Sequence, residues 1–272
     1  MSNRNSRSSE MIRGIATASM SEHFANIADV YRGVRTTDLE PIFYIRNALA
    51  SRSVVRATDV GCGAGRYSRL LFEYIPNLHL DCIDVSTKML EMLSSYFAEG
   101  GIQNFSIQLS NVQDLALANE SLDALFTFNA VHHFNFAIFL AKARDALCDD
   151  GHLFIYTRTP DQNAGSVWGR FFPNFTEKES RLYTLDRMKA WIRQTPGVRI
   201  VEAEVFRYAR TAAFDRLQEQ VRNRHYSTFS LYDQRELEAS CRIFRERISH
   251  RFKNLDAISR HDENIMLHVI KT

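Results

Sequence analysis

The stretch TDVGCGAGRYSRLL, from Thr58 to Leu71, places three glycines at alternate positions between a short apolar run and a segment of helical character. Glycine lets the backbone turn tightly and lets a ligand approach it closely, because it has no Cβ atom. A helix that begins directly after such a loop directs its free N–H groups toward the ligand. The stretch therefore predicts a strand, a helix and, between them, a ligand-binding loop that contains Gly61, Cys62, Gly63 and Gly65.

Short β-rich runs alternate with longer segments of helical periodicity between Val54 and Arg158, which is typical of βαβ units around a parallel sheet. The helical segments include Ser86 to Phe97, which the Ser86 hydroxyl can cap, and Phe134 to Leu147. Further downstream, VRIVEAEVFRYA and NIMLHVIK also resemble strands. The sequence therefore predicts an α/β fold with a doubly wound, mainly parallel seven-stranded sheet, whose first five strands are VVRATDV, LHLDCID, FSIQLS, LDALFTFN and HLFIYTR.

Helical segments precede and follow this predicted core. Residues Ser21 to Ser51 predict two helices, and Asp38 opens the second, with Pro41 in its first turn, where a missing N–H has little effect. Downstream of the fifth strand, Thr176 and Glu179 have the spacing of a capping box. We therefore expect helix starts at both places.

An insertion before the last strand predicts a helical cap over the sheet, at about residues 211–258. Its second helix carries apolar side chains at spacings of three and four, opposite many arginines, as amphipathic helices do. We expect a single domain over residues 21–272, with its core at 52–160, and a disordered N-terminus over residues 1–20. The apolar stripe of the second cap helix consists of Leu237, Cys241, Phe244, Ile248 and Phe252.

Two residues in and beside the glycine loop distinguish between the ligand classes that use such loops. The dinucleotide fingerprint requires a third glycine at the position of Arg66, so a nicotinamide oxidoreductase is disfavoured. Asp59 would repel a pyrophosphate but would attract a ligand that carries ammonium and sulfonium charges. S-adenosylmethionine (SAM) carries both charges, so the loop favours SAM as the cofactor.

Beyond the loop, residues 54–158 resemble the class I SAM-dependent methyltransferases, of the type 11 kind that acts on small molecules. The resemblance rests on Asp84 in DCIDVS, on the segment SNVQDLALANESLDALFTFNAVHHF, and on ALCDDGHLFIYTR. It implies a Rossmann-like methyltransferase fold, SAM as the cofactor and S-adenosylhomocysteine as the product.

The resemblance also implies a role for each matching residue. Asp84 would bind both ribose hydroxyls, a task suited to a carboxylate, and Val85 would pack beside the adenine. Asn111, where the family usually has Asp, would lie near the adenine amino group, with the Val112 N–H at an adenine ring nitrogen. The Asn111 amide keeps an acceptor oxygen, so this departure is mild. The backbone of Asn129 would contact the methionine moiety.

The catalytic group is harder to predict, because an in-line displacement at a methyl carbon depends mainly on alignment and on the exclusion of water. His132 and His133 follow the fourth strand, near where the methyl group should point, and a neutral imidazole can accept a proton from an oxygen or nitrogen nucleophile. The alternative is structural: one histidine packs beneath the site and the other caps the next helix.

Candidate substrate-binding residues come from the flanking helices. Tyr31 and Arg35 lie in the N-terminal helical segment, which folds over the cofactor in many members of the family that this chain resembles. Aromatic and cationic residues downstream would form a pocket for a carboxylated or aromatic small substrate. Arginines on amphipathic helices usually face water, so the alternative to substrate binding is that each arginine is solvated. The downstream candidates are Trp168, Arg170, Arg222, Arg224, His225 and Tyr226.

Three functions are compatible with these observations. The first is methyl transfer to an O, N or C nucleophile of a small-molecule metabolite. The second is a tRNA methyltransferase, since NAVHHF is similar to the wobble-uridine carboxymethyl methyltransferases and residues 211–260 hold ten Lys and Arg against seven Asp and Glu. The third is a SAM-binding protein without catalytic activity.

The composition limits the class of protein further. The 272-residue chain has a formal net charge of +2, too balanced to indicate attraction of the whole surface to nucleic acid or anionic lipid. Its four cysteines lie far apart without a CxxC pair, so we expect buried free thiols and no metal site. No apolar run has the length of a membrane span and no secretory signal is apparent, so we expect a soluble cytoplasmic protein.

Overall fold

A computed structural model describes residues 37–272, and these form a seven-stranded sheet with the strand order β3-β2-β1-β4-β5-β7-β6. Strands β1 to β5 run parallel, whereas β7 runs antiparallel to both β5 and β6. The predicted doubly wound, mainly parallel sheet is therefore confirmed. The strands are β1 Val55–Val60, β2 Leu78–Asp84, β3 Phe105–Leu109, β4 Leu122–Phe128, β5 Leu147–Thr157, β6 Val198–Ala212 and β7 Ile258–Lys271.

Helices cover both faces of the sheet, since each face carries its own row of apolar side chains. Helices α1, α2 and α3 pack on one face, around Ile45, Leu71 and Phe97. Helices α4 and α8 pack on the other face, around Phe139 and Met188. No helix within residues 37–272 combines the length and the apolar character needed to cross a membrane. The helices are α1 Glu40–Ala48, α2 Arg66–Tyr74, α3 Thr87–Glu99, α4 Phe136–Ala146, α5 Pro160–Gly165, α6 Val167–Phe171, α7 Phe175–Lys178, α8 Leu185–Gln194, α9 Phe214–Arg222 and α10 Gln234–Arg251, with 3₁₀ turns at Val131–His133 and Ser227–Leu231.

One predicted helix cap is confirmed and one helix start was predicted wrongly. The Ser86 hydroxyl accepts a hydrogen bond from the Met89 N–H and so caps α3, as its position predicts. Asp38 does not cap α1, because Leu39 occupies the N-cap position without a side-chain hydrogen bond. The Asp38 carboxylate instead forms an ion pair with Arg210 on β6. The Asp38 carboxylate thus binds a charged side chain of a distant strand and not the backbone N–H groups at the start of α1.

The capping box predicted at Thr176 and Glu179 is also wrong. Thr176 lies inside the short helix α7, and Glu179 directly follows the last residue of that helix. The buried Glu179 carboxylate accepts hydrogen bonds from Arg181 and from the Thr228 hydroxyl. The next long helix, α8, is capped by Thr184. A neighbour along the chain, Arg181, and a remote residue, Thr228, therefore determine the role of Glu179.

A second, smaller core holds the cap together. Trp168 stacks on Phe244 with ring centroids 5.3 Å apart and meets Phe229 edge-on at the same distance. Trp168 thus joins α6 to α10. The cap therefore includes α6 in addition to the predicted residues 211–258. Of the predicted apolar stripe of α10, Leu237, Phe244 and Ile248 are buried, while Cys241 and Phe252 pack against them half-buried. All four cysteines of the chain are free, and only Cys82 is buried.

The last two strands form a ribbon that extends past the rest of the sheet. Strand β5 ends at Thr157, opposite Ile265, so β7 residues before Ile265 pair only with β6. Because β7 is antiparallel, this overhang projects from the edge at which the parallel strands end. The cap helices α9 and α10 are inserted between the two strands of the ribbon, whose last register pair is Ala212 and Ile258. The ribbon therefore holds the cap over the carboxyl edge of the sheet.

A row of hydrogen-bonded polar side chains connects α1 to the sheet. The Tyr44 hydroxyl lies 3.0 Å from His268 Nδ1, and His268 Nε2 lies 2.8 Å from His152 Nδ1. Burial, together with the positive charges of His152 and Arg199, lowers the pKa of His268 to about 4. His268 is 4% exposed, so it stays neutral in the folded protein at pH values where an exposed histidine is charged.

We expect the buried His268 to make the stability of the fold depend on acid. The unfolded protein binds a proton at His268 near pH 6.5, whereas the folded protein does so near pH 4, so stability falls as the pH drops between these values. His268→Gln should reduce this dependence, as measured by urea unfolding at pH 7 and at pH 5. His79→Gln, an exposed position on β2, is the control. An equal loss of stability in acid for wild type and His268→Gln would contradict the assignment.

Candidate functional site

The glycine loop after β1 is held against β2 by its backbone. The Ile83 carbonyl accepts hydrogen bonds from the Gly61 N–H at 2.8 Å and the Cys62 N–H at 3.1 Å. All three loop glycines have positive φ, with 76° at Gly61, 54° at Gly63 and 77° at Gly65. Residues with a Cβ atom rarely adopt such φ values, so the turn requires glycine.

Neighbouring elements leave no room for a side chain at two of these glycines. A Cβ atom at Gly61 would lie 2.5 Å from the Cβ atom of Ala130, which follows β4. A Cβ atom at Gly65 would lie 2.9 Å from Leu93 Cγ on α3. The loop is therefore packed closely between the end of β4 and α3, which fixes where α2 begins.

Asp84, the last residue of β2, links the loop to the start of α3. Its carboxylate accepts hydrogen bonds from the Gly63 N–H at 2.9 Å and the Ser86 N–H at 3.0 Å. Burial raises the pKa of Asp84, although these backbone N–H groups lower it. A carboxylate offers about four lone-pair positions, so both oxygens retain capacity to accept from two ligand hydroxyls. Val85, half-buried, follows directly.

Asp59 lies on β1 beneath the loop and is 1% exposed. One carboxylate oxygen accepts a hydrogen bond from the Ser68 hydroxyl at 2.7 Å, and the other has no donor within the described chain. Burial raises the pKa of Asp59 to about 7; the Ser68 hydroxyl lowers it and the nearby Asp84 raises it. A buried acceptor without a donor is unusual in proteins, and a cationic ligand would satisfy it.

Asn111 and Val112 follow β3, and the Asn111 side chain is bound by a residue of the same turn. The Asn111 amide donates to the Asp114 carboxylate at 2.6 Å and accepts from the Asp114 N–H at 2.9 Å. Asp114 therefore already binds both ends of this amide, and Val112 is buried beneath the turn. The Asp114 carboxylate, which sequence reasoning missed, stands at this exposed edge. The Asn-x-x-Asp spacing, typical of a side-chain-stabilised turn, was the available signal.

Asn129, directly after β4, has a φ of 54°, which is uncommon for a residue other than glycine. Its N–H donates to the Tyr156 carbonyl at 2.7 Å, and its side-chain oxygen accepts from Asn264 at 3.1 Å. These contacts to β5 and β7 hold the backbone in this conformation. Strained conformations of this kind often occur at functional sites.

A cavity lies between the carboxyl edge of the sheet and the cap, and it brings together six of the predicted residues. Asn129, His132 and His133 enter it from the sheet. His225, Tyr226 and Trp168 enter it from the cap, although Trp168 is 2% exposed and belongs mainly to the cap core.

Other predicted substrate residues lie elsewhere. Arg170 and Arg222 are exposed and do not line the cavity, as expected for arginines on amphipathic helices. Arg224 donates to the Phe229 carbonyl at 3.2 Å and does not line the cavity. Tyr31 and Arg35 lie outside the described residues, as does the predicted N-terminal segment 1–20.

The two predicted catalytic histidines are neighbours in the cavity wall. Their ring centroids are 4.0 Å apart, and the buried Glu179 lines the same cavity. Burial raises the pKa of Glu179, but Arg181 and His132 lower it more strongly, so the carboxyl remains ionised. Neither histidine caps α4, because Asn135 does so. Glu179, which sequence reasoning assigned to a helix cap, therefore places a negative charge in the cavity wall near His132.

Sequence reasoning missed a group of charged and polar residues in this cavity. They come from the end of β5 and from the overhanging ribbon, where the cavity residues occupy every second position and so share one face. The polar run from Ser259 to Asn264 was visible in the sequence, but the length and the register of the ribbon were not. The residues are Arg158, Tyr208, Arg210, Arg260, Asp262 and Asn264.

We expect the close packing of Gly61 to be measurable. Gly61→Ala should destabilise the protein by about 2–4 kcal/mol, because it combines an unfavourable φ with a contact that is too short. Gly101→Ala is the control, since Gly101 has a φ of 67° but no atom within 4 Å of the added Cβ. It should cost only about 1 kcal/mol. Urea unfolding measures both changes, and equal losses would show that Ala130 yields to the new side chain.

Comparison with known proteins agrees with this geometry. Residues 57–151 match the family model described as methyltransferase domain. The chain is 27% identical over 115 residues to the uncharacterized methyltransferase YcgJ of Bacillus subtilis (strain 168). That alignment covers 41% of this chain and 44% of YcgJ, so it spans less than half of this curated relative.

Solved structures show the same fold over most of the chain. A methyltransferase from an antibiotic biosynthesis pathway of Anabaena variabilis aligns with a TM-score of 0.64 and 18% identity, covering 86% of this chain and 98% of that one. The Haemonchus contortus phosphoethanolamine N-methyltransferase 2, in complex with SAM, aligns with a TM-score of 0.57 and 15% identity, covering 90% and 56%. Residues 57–151 thus match a methyltransferase domain, and the described part of the chain shares the fold of these solved methyltransferases.

Proposed function

We propose that the protein transfers the methyl group of SAM to an O, N or C nucleophile of a small-molecule metabolite and releases S-adenosylhomocysteine. The observation that carries this proposal is the cavity beneath the cap, where residues that follow the parallel strands meet residues of the cap. A cavity that is walled by buried side chains of a cap suits a small acceptor.

The residues around the glycine loop fit the cofactor. Asp84 would accept from the ribose hydroxyls, Val85 and the turn at Asn111 and Val112 would surround the adenine, and the glycine loop would let the rest of the cofactor approach closely. Asp59 supports a cationic ligand, because its second oxygen has no donor in the described chain. SAM supplies a methyl group bound to a positively charged sulfur. The Haemonchus contortus neighbour, solved with SAM on the same fold, supports this placement.

The chain contributes alignment, exclusion of water and a site for a proton. Asn129 is fixed by β5 and β7, so its backbone offers a rigid contact next to the reacting groups. The cap covers the cavity and limits access of water. His132 would accept the proton of an oxygen or nitrogen nucleophile at a ring nitrogen, and Glu179 would stabilise the imidazolium that results.

The decisive experiment is incubation of the purified protein with labelled SAM and a metabolite extract, followed by identification of the labelled product. Bulk tRNA forms a second arm. Label in a small molecule supports the proposal, whereas label only in tRNA would replace it with the nucleic-acid hypothesis. SAM binding without transfer to either fraction would indicate a SAM-binding protein without catalytic activity.

We expect Asp84→Ala to weaken SAM binding by about 1–3 kcal/mol, because charged hydrogen bonds to the ribose are lost. Asp84→Asn keeps the shape of the side chain and should lose a similar amount while disturbing the loop less. Asp81→Ala, an exposed residue of the same strand, should bind SAM like wild type. Calorimetry measures the affinities. Unchanged affinity in a folded Asp84 variant would refute the assignment of the ribose site.

We also expect SAM affinity to rise as the pH increases through about 7, since Asp59 ionises near that pH and its negative charge attracts the cationic ligand. Asp59→Asn should bind SAM more weakly and should lose this component of the pH dependence. Calorimetric titrations at about pH 6 and about pH 8 compare the two proteins. The same pH dependence in both would show that another group is responsible.

A further inference from the structure

We propose that the methyl acceptor carries an anionic group, a carboxylate or a phosphate, and that Arg260 and Arg210 bind this group in the cavity. The inference rests on the proposed function, because it concerns the acceptor of that reaction. It adds the charge of the acceptor and the residues that recognise it.

The first argument is the placement of the two arginines. Arg210 on β6 and Arg260 on β7 are direct partners in the antiparallel register of the ribbon. Both side chains line the cavity. Like charges directly opposite each other on one face of a sheet are unfavourable unless a negative charge lies between them. Asp262 supplies one such charge near both guanidinium groups, and the Arg260 donors that it does not reach are left for a second anion.

The second argument is the lack of acceptors around Arg260, whose side chain is 11% exposed. Its Nε and Nη1 atoms are buried and have no hydrogen-bond acceptor in the described chain. Its charged neighbour is Asp262, at 4.0 Å from Arg260 Nε, and the same carboxylate oxygen lies 3.8 Å from Arg210 Nε. Both distances are too long for hydrogen bonds. Buried guanidinium N–H groups without acceptors are costly, and the oxygens of an anion bound beside Arg260 would satisfy them.

Arg158 shows how a purely structural arginine of the same cavity differs. Its guanidinium donates to the Glu263 carbonyl, to the Asn264 side chain and to the Tyr226 hydroxyl, at 3.2–3.3 Å. Arg158 is thus held by the protein itself. Arg260 lacks such acceptors although it lies on the adjoining strand, so its donors are available to a ligand.

The third argument is the charge balance of this part of the cavity. Asp38 forms an ion pair with Arg210, and Asp262 is shared between Arg210 and Arg260 at long distance. Asp262 Oδ1 has no donor in the described chain either, so it would accept from a hydroxyl or N–H beside the anionic group of the ligand. The ligand that this arrangement fits is an anion with an adjacent hydrogen-bond donor.

The position within the cavity connects this subsite to the reaction. His132 and Asn129 line the same cavity as Arg260. An acceptor whose anionic group is bound by the ribbon would extend toward these residues, and its nucleophile would then lie where the methyl group is delivered. The arginines would act as positioning residues, since they fix the orientation of the acceptor without contacting the methyl group.

The test measures anion binding directly, with inorganic phosphate and acetate as separate probes at constant ionic strength. Calorimetry is performed on the full chain saturated with S-adenosylhomocysteine. We expect wild type to bind one of the two anions at least about tenfold more tightly than Arg260→Gln. Arg260→Lys should fall between them, because it keeps the charge but loses the paired donors. The matched control is Arg207→Gln, on the opposite face of β6, where the side chain is 74% exposed and pairs with Glu263.

Each outcome supports or overturns the inference. Tighter binding of phosphate by wild type assigns a phosphorylated acceptor, and tighter binding of acetate assigns a carboxylated one. Equal binding of both anions by wild type and Arg260→Gln would overturn the subsite and would leave water as the partner of these donors. SAM affinity is measured in parallel: if wild type does not bind SAM, the proposed function fails, whereas SAM binding without anion binding removes only this inference.

Discussion

The carbonyl oxygen of Ile83 and the carboxylate of Asp84 together hold the glycine loop, and the rest of the site depends on this attachment. The carbonyl accepts from Gly61 and Cys62, and the carboxylate accepts from Gly63. The chain therefore leaves β1 and crosses the top of β2 before it enters α2. This path leaves no space for a side chain at Gly61 and sets the close packing of the loop on the segment after β4. Strand ends, loop and helix start are thus fixed relative to one another by backbone groups.

Most of the sheet could be predicted from the sequence because its strands are local apolar runs. Strands such as β1 and β4 are almost entirely buried, so their composition alone identifies them. The glycine loop could be predicted for the same reason, since positive φ at three alternate residues demands glycine. The Ser86 cap depends only on neighbours within one turn, and it too was predicted correctly.

What the sequence did not indicate depends on contacts between distant segments. Asp38 and Glu179 have the residue types of helix caps, but both carboxylates bind arginines. Asp38 pairs with Arg210, which is far away in sequence, and Glu179 pairs with Arg181, which folds against it. Arg210 and Arg260 become neighbours only through the register of β6 and β7. Trp168 has the character of a substrate-binding aromatic residue, yet most of its surface packs against Phe229 and Phe244, because a small cap needs large apolar side chains for its own core.

The antiparallel direction of β7 has a consequence for how such a protein can diversify. Because β7 begins at the edge where the parallel strands end, the connection that precedes it is free to lengthen over the reacting groups without entering the sheet. The cap has a separate aromatic core, so substitutions there leave the packing of the cofactor loop undisturbed. The cap and the glycine loop are thereby parts of the fold whose packing mutation can change independently.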